Sequence, residues 1–522
     1  MIRRVSRLTF VALGMMNLGA ALMRGQQAPE QTLLSIQEGI ESGKLDEALR
    51  QVSKALEQYP KDGGLYNLRG VIHGQQNNFK DARTDFEHAV SLAPGLTPAW
   101  QNLGRACQMG DSDADTRCAA KAWTRVLQAR AGDPEARFSL AAAYQRQSKF
   151  AESLRELDKL PADEAGRAPT LALRCVDLAG LNRMQEATDA AGRLVAAPDF
   201  SENDVKSILP MLTTEQRAPL VITLVEALDA RGAASPESLR ALVVAYEQTN
   251  RLDSARKTME RLAAADPKDP QHLFELARIA YRSHDLEGAL AYLGHARDLS
   301  PTNARVHFLF GMILEEMQLP VEARRSLEKA VSLDPHNPDY NYALGSAILV
   351  TREAGPAVAC FRNYVAAKPR DPRGHFALGV AYFASGDYAA CRAEMQGISK
   401  DPATQAGAAY FLGRIARIED NLDEAAALFE QSIRVLPSYP ESHTELARVR
   451  LRQNRLEEAK AEIDRALALD PESFQANSAL LALYQKTHDA RAAEQSARLQ
   501  KMDEDRSQRQ QLMFRSIEVK PY

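Results

Sequence analysis

Eight positions spaced 34 residues apart, Ala255, Ala289, Ala323, Ala357, Cys391, Ala425, Ala459 and Ala493, all hold small residues. Other columns share the period. Leu276, Phe310, Leu344, Leu378, Leu412, Leu446 and Leu480 are large and apolar, and Ala277, Gly311, Gly345, Gly379, Gly413 and Ala447 directly follow the first six of them. Pro267, Pro301, Pro335, Pro369, Pro437 and Pro471 close most units. This order of large, small, small and Pro is the signature of stacked helix-turn-helix units. Small residues let two helix backbones approach where they cross, and the large ones beside them fill the space between helices. An array of this kind grows by addition, so 522 residues read as one elongated solenoid. Function then belongs on a repeated surface.

The N-terminal half follows the period less strictly. Ala48 to Ala82 is 34 residues, Ala82 to Ala122 is 40, Ala122 to Ser153 is 31 and Ser153 to Ala187 is 34. Ala187 to Ala255 is 68, twice the period, which predicts a diverged unit with Val221 in the small column and a first helix kinked by Pro210. The expected organisation is a leader and short linker at 1–28, N-terminal units with one insertion at 29–200, the diverged unit at 201–235, a regular array with a polar capping helix at 236–500, and a polar tail at 501–522. Fourteen units fit between Pro29 and Gln500.

At the start of the chain, Arg3, Arg4 and Arg7 precede an uncharged stretch from Leu8 to Met23, with small or polar residues around Gly25 and Ala28. This reads as a secretory signal peptide, and it is short for a membrane span, which takes about 20 apolar residues. An uncleaved anchor is the alternative. No Cys lies near its end, which disfavours a lipid anchor. The expectation is export, to a bacterial periplasm or the extracellular space. A formal charge of -4 gives no general attraction to nucleic acid.

The units resemble the tetratricopeptide repeat, whose first helix carries Trp, two residues, Leu-Gly, two residues and Tyr, and whose second carries Ala, three residues, an aromatic and then Pro. Trp100, Leu103 and Gly104 match one unit, Tyr66 and Gly70 with Ala82, Phe86 and Pro94 a second, and Leu378, Gly379 and Tyr382 a third. The resemblance extends over most of the chain and implies an all-α, right-handed superhelical solenoid. It also implies that first helices line a concave groove, which positions 5, 9 and 12 of each unit face; their offsets put them on one helical stripe.

Five consecutive units carry an aromatic at position 5, namely Phe274, Phe308, Tyr342, Phe376 and Tyr410, and position 12 adds Tyr281 and Phe383. Such a ladder suits an extended peptide or a glycan, since rings offer large contact area at low conformational cost. The competing reading is packing, with position 5 taking over from a mostly absent aromatic at position 4. Arg278, Arg282, Arg414, Arg417, Arg448 and Arg452 lie on or beside the stripe and would fork onto carboxylate or phosphate, or else pair with neighbouring acids. Family members that clamp chaperone C-termini need Lys at position 5 and Asn at position 9; here position 5 is mostly aromatic, so co-chaperone function is not implied.

The insertion from Cys107 to Cys118 contains Asp111, Asp113 and Asp115, which imitate a calcium loop, but Thr116 and Ala122 stand where Gly and the bidentate Glu belong. A disulfide between Cys107 and Cys118 is the alternative in an oxidising compartment, joining the end of one helix to the start of its partner. Cys391 packs in the small column, and the pairing of Cys175 and Cys360 is left open. His307, His375 and His443 share position 4 of alternate units, too far apart to hold a metal. Gly39 with Gly43 and Lys44 misses the phosphate-loop spacing, and carboxylate pairs such as Glu315 and Glu316 are ordinary surface charge. Leu512, Met513, Phe514 and Ile517 give the tail an apolar end, read either as a docking segment or as a disordered terminus.

The function expected is therefore a non-catalytic, exported scaffold whose groove binds a protein or peptide, acidic or extended, around Phe274 to Arg452. A glycan-binding module of a polysaccharide export or cell-wall system is the alternative. No cofactor, metal or nucleic acid is expected, and membrane contact only through an uncleaved anchor.

Overall fold

The computed structural model describes residues 27–516 apart from Arg352, with side chains as far as residue 505. Of the leader and short linker read at 1–28, residues 1–26 lie outside the described residues, as do Ile517 and the side chains of Leu512, Met513 and Phe514. Among the described residues every regular element is helical. The chain forms two compact units, one up to Pro267 and one from Lys268 onward.

In the first unit the helical pairs are Glu30–Glu41 with Leu45–Gln58, Gly63–Gln75 with Phe79–Leu92, Thr97–Gln108 with Asp113–Ala129, Pro134–Arg146 with Phe150–Leu157, Ala168–Gly180 with Met184–Ala196, Glu202–Ile208 with Ala218–Ala230, and Pro236–Gln248 with Leu252–Ala265. In the second they are Pro270–Arg282 with Leu286–Leu299, Ala304–Glu316 with Pro320–Leu333, Pro338–Val350 with Ala354–Ala367, Pro372–Ser385 with Tyr388–Gly397, Gln405–Ile418 with Leu422–Val435, Pro440–Arg452 with Leu456–Leu469, and Phe474–Lys486 with Ala492–Ser516. The last helix runs through the boundary drawn at 501 from the sequence.

Local chemistry sets each corner. Asp269, Asn303, Asn337, Asp371 and Ser473 precede first helices, and their side-chain oxygens accept backbone N–H groups of the first turn. Second helices end where the closing proline forces its predecessor out of the helical region, as at Asp470 before Pro471, whose backbone is extended. The proline carbonyl is in turn tied to position 4 of the next first helix. His307, His375 and His443 reach it through Nε2 at 3.0 Å, and Asn341 and Asn477 donate to it through Nδ2 at 2.8 and 3.1 Å. Trp100 does the same in the first unit, its Nε1 donating to the Pro94 carbonyl at 2.9 Å. The histidine column is therefore a corner brace. At His443 the other ring nitrogen meets Glu462 at 2.6 Å, and that hydrogen bond holds the imidazole pKa above its usual value despite burial.

In six pairs of the second unit one residue between the helices takes a left-handed backbone, His284, Gln318, Gly386, Asp420, Asn454 and His488, at spacings of 34 or 68 and with φ between 56° and 82°. Asn, Asp, His and Gly tolerate this region, whereas Gln318 is strained in it. Gln318→Gly is expected to stabilise its unit by about 1 kcal/mol, and Gly386→Ala to cost a similar amount, read as opposite shifts in local hydrogen-exchange protection.

The small column packs as the spacing requires, with Ala255, Ala289, Ala323, Ala357, Cys391, Ala425 and Ala459 all at 0% exposure. Its last member departs from the rule: Ala493 is exposed, and Gln495 is buried instead, donating to Asn477 Oδ1 at 3.0 Å. The capping helix begins at Ala492, late for the period, so the residue in its first buried place is displaced. Above the column, a Cβ on Gly345 or Gly413 would come within 2.8 Å of Phe361 Cζ or 2.9 Å of Phe429 Cε1, closer than real Cβ atoms approach. In the diverged unit Val221 is buried. There Pro210 does not kink a continuous helix: the α-helix stops at Ile208 and Pro210 sits in a 3-10 turn, Leu209–Met211. Without its N–H, and with its ring against the preceding turn, Pro cannot continue so short a helix.

Candidate binding surface

In the second unit, from Ala304–Glu316 onward, each first helix packs on the next one: Ala304–Glu316 on Pro338–Val350, that on Pro372–Ser385, that on Gln405–Ile418, that on Pro440–Arg452, and that on Phe474–Lys486. Successive second helices touch marginally at most. First helices thus lie on the tighter, inner side of this unit, and the stripe of positions 5, 9 and 12 is carried there.

The aromatic ladder is more deeply set than a row of open platforms. Phe274 and Tyr410 are buried, while Phe308, Tyr342, Phe376, Phe383 and Tyr281 are half-buried. Arg305 covers the Phe274 ring at 4.6 Å. Phe308 tilts against Tyr340 at 4.8 Å, and Tyr342 stands edge-on to Phe361 and tilted to Tyr364 at 5.6 and 5.0 Å. The Tyr281 hydroxyl bonds Glu316, which raises its pKa. The upper ladder therefore takes a large part in packing.

Further along, the rings converge. Phe411 stands edge-on to Phe376, Phe383 and Tyr410 at 5.9, 5.3 and 5.3 Å, and Tyr410 is edge-on to Tyr439 at 5.4 Å. Into this cluster comes Arg414, its guanidinium carbon 4.2 Å from the Phe383 ring centre and 5.6 and 5.7 Å from those of Tyr410 and Phe411. Its Nε is buried with no hydrogen-bond partner, and no acid pairs with it among the described residues.

The other arginines differ. Arg278 pairs with Glu275 at 2.7 Å. Arg417 and Arg448 stand 2.8 Å from the two oxygens of Glu445, the Arg417 contact being an ion pair too poorly aligned for a hydrogen bond, and the Glu445 side chain is only 8% exposed. Arg452 pairs with Asp420. The structure thus joins Phe376, Phe383, Tyr410 and Arg414 into one site, sets Arg417 and Arg448 around Glu445 beside it, and leaves Arg452 in a surface ion pair. Sequence reasoning missed Phe411 and Glu445. Glu445 stands three residues before Arg448 on the same helix, a spacing that signals a pair.

In the first unit the sulfurs of Cys107 and Cys118 are bonded, with Cα atoms 5.9 Å apart. Cys175, Cys360 and Cys391 are free and buried, and burial pushes the Cys175 and Cys391 thiols up to about 12 and about 11. The acids of the insertion serve the helix: Asp115 forms a capping box with Ser112 and pairs with Arg83. Unfolded, unreduced protein is expected to show three titratable thiols, and Cys107→Ser to cost about 2–3 kcal/mol through the released loop; five thiols would rule the bridge out. A hollow of about 250 Å³ lies by Asp158, Arg174, Arg183 and Glu186, where Arg174 pairs with Asp158 and Arg183 with Glu186. Among the described residues no cluster could hold a metal ion, and no helix is long and apolar enough to cross a membrane.

Among the described residues, fourteen helical hairpins in series, a buried small column and a groove stripe define a helical-repeat protein with a side-chain-lined inner face. Tetratricopeptide repeat models match residues 40–97, 236–279, 280–347, 352–402 and 416–484, together more than half of the chain, which belongs to the tetratricopeptide repeat family. Among solved structures, the chain is similar to the APC/C hetero-tetramer Cut9-Hcn1, with 14% identity, 88% of this chain and 96% of that one covered, and a TM-score of 0.36. It is similar to yeast Tom70 at 15% identity, covering 85% and 96%, TM-score 0.34. It is also similar to YrrB, described as a TPR protein with an unusual peptide-binding site, at 18% identity, covering 42% and 96%, TM-score 0.27. No curated protein matches the sequence closely enough to count as a relative.

Proposed function

We infer that the chain is a non-catalytic, exported scaffold that binds an extended segment of a partner protein along the inner face of its second unit. The observation that carries this reading is the convergence of Phe376, Phe383, Phe411, Tyr410 and Arg414 in one cluster, Tyr410 buried and the other rings half-buried, beside a cation that no acid among the described residues pairs with. Apolar walls with a few placed polar groups are what a peptide groove needs. Glycan binding fits less well, because sugar stacking needs open ring faces. Here Arg414 covers a face of Phe383, and the neighbouring rings meet edge to face. Export is supported by Arg3, Arg4 and Arg7 ahead of the uncharged stretch and by the Cys107–Cys118 bridge, a bond that persists in oxidising compartments.

Two measurements test the reading. Selection of a random peptide display library on the full chain should enrich binders that are lost on Phe376→Ala with Phe383→Ala; enrichment that survives both changes places binding elsewhere. N-terminal sequencing of protein expressed in a bacterium should start near Gly25 to Pro29. A mature protein beginning at Met1 removes the cleaved leader.

A further inference from the structure

We propose that Arg414 reads a single carboxylate on the partner peptide, set next to an apolar side chain that lies against Phe376 and Phe411. This rests on the peptide-groove reading and adds the partner's chemistry to it. A guanidinium carries five donors in a fixed fork. At Arg414 one ring face at 4.2 Å fixes the plane, Nε is buried without a partner, and the side chain makes no ion pair among the described residues. Aromatic contact steadies such a cation but accepts none of its hydrogen bonds; a carboxylate accepts two at once and neutralises the charge.

The neighbouring acid sharpens the selectivity. Glu445 meets Arg417 and Arg448 together, so both guanidinia are directed at this chain's own carboxylate rather than at a ligand. Position 9 is Met312, Ser346 and Val380 in the three preceding units, so those offer no charge on the stripe. On the stripe of positions 5, 9 and 12, Arg414 is thus the guanidinium that rings wall and that no acid pairs with among the described residues. The partner that fits is a peptide with one Asp or Glu beside a Phe, Leu or similar residue. A polyacidic tract gains little, because its further charges meet arginines already engaged.

The probe is a display library of random peptides of about 12 residues, selected on the full-length protein, followed by synthesis of the best binder and of its Glu→Gln or Asp→Gln version. The expected result is enrichment of one acid next to an apolar residue, with affinity falling at least about tenfold on neutralising that acid or on Arg414→Gln. Glu445→Gln should raise affinity several-fold by releasing two arginines, a gain that misfolding cannot imitate. If binders show no acid, or bind Arg414→Gln unchanged yet fail on Phe376→Ala with Phe383→Ala, the carboxylate inference is overturned and the peptide groove stands. If no peptide is enriched while oligogalacturonate binds, or if nothing is enriched at all, both readings fall.

Discussion

Asp177→Asn is expected to abolish a pH dependence of stability worth about 4 kcal/mol in full and about 3 kcal/mol between pH 5 and pH 8. Asp177 lies on the first helix Ala168–Gly180, at the place where the regular units put Ile279, Ile313, Ile415 and Val449. It is fully buried, and neither carboxyl oxygen has a well-aligned hydrogen-bond partner. Ser153, which replaces Ala in the small column, and Arg174 favour the carboxylate, but burial dominates and pushes the pKa from 3.8 up to about 7. The folded state thus keeps this proton where the unfolded chain has lost it. The stability that Asp177 contributes is greatest below pH 4 and falls as pH rises towards 7, the reverse of an ion-paired carboxylate. Measured as the difference between wild type and Asp177→Asn at each pH, other titrating groups cancel. Hydrogen exchange of helix Ala168–Gly180 suits a repeat array, which need not unfold as one cooperative body. Parallel profiles for the two proteins would show that the carboxyl titrates normally.

The period made the hairpin order, the small column and most corners legible, because packing at a helix crossing admits few residue types and repeats them faithfully. Corner chemistry was harder to see. His307, His375 and His443 engage the carbonyl of the preceding proline, and so do Asn341 and Asn477, so five units meet this need with a nitrogen of suitable reach on two kinds of side chain, while Leu273 and Ala409 fill the place in the other two. The left-handed turn column was missed for the same reason, being filled by His, Gln, Gly, Asp and Asn in turn. At the inner face the sequence supplied position 5 and the arginines but not their states of pairing. Arg414, Arg417 and Arg448 look alike in one dimension; only the fold puts Glu445 between two of them and leaves the third against rings.

Phe429→Ala is expected to cost about 3–5 kcal/mol in the Gln405–Ile418 hairpin and to weaken peptide capture with it. Phe429 is fully buried, its ring lies under Gly413, and Tyr410 leans on it at 6.0 Å. Tyr410 in turn stands beside Arg414. Losing the ring opens a cavity beneath the platform that holds the guanidinium. The repeat itself supplies a control, because the neighbouring hairpin has Ala447 where this one has Gly413 and Ile463 where this one has Phe429, and Ala277 with Leu293 repeats that solution. Gly413→Ala alone should cost about 1–3 kcal/mol, since its Cβ would stand 2.9 Å from the Phe429 ring. Combined with Phe429→Ile it should cost less than the sum of the two single changes by about 1–2 kcal/mol or more, a coupling that a double-mutant cycle resolves. Phe361→Ala separates packing from recognition: it empties the equivalent place under Gly345, beside Tyr342, without touching a ring that contacts Arg414. It should match the stability loss and spare the carboxylate site. Equal loss of peptide affinity in Phe361→Ala and Phe429→Ala would mean that the array responds as a whole and that the aromatic cluster around Arg414 has no local role.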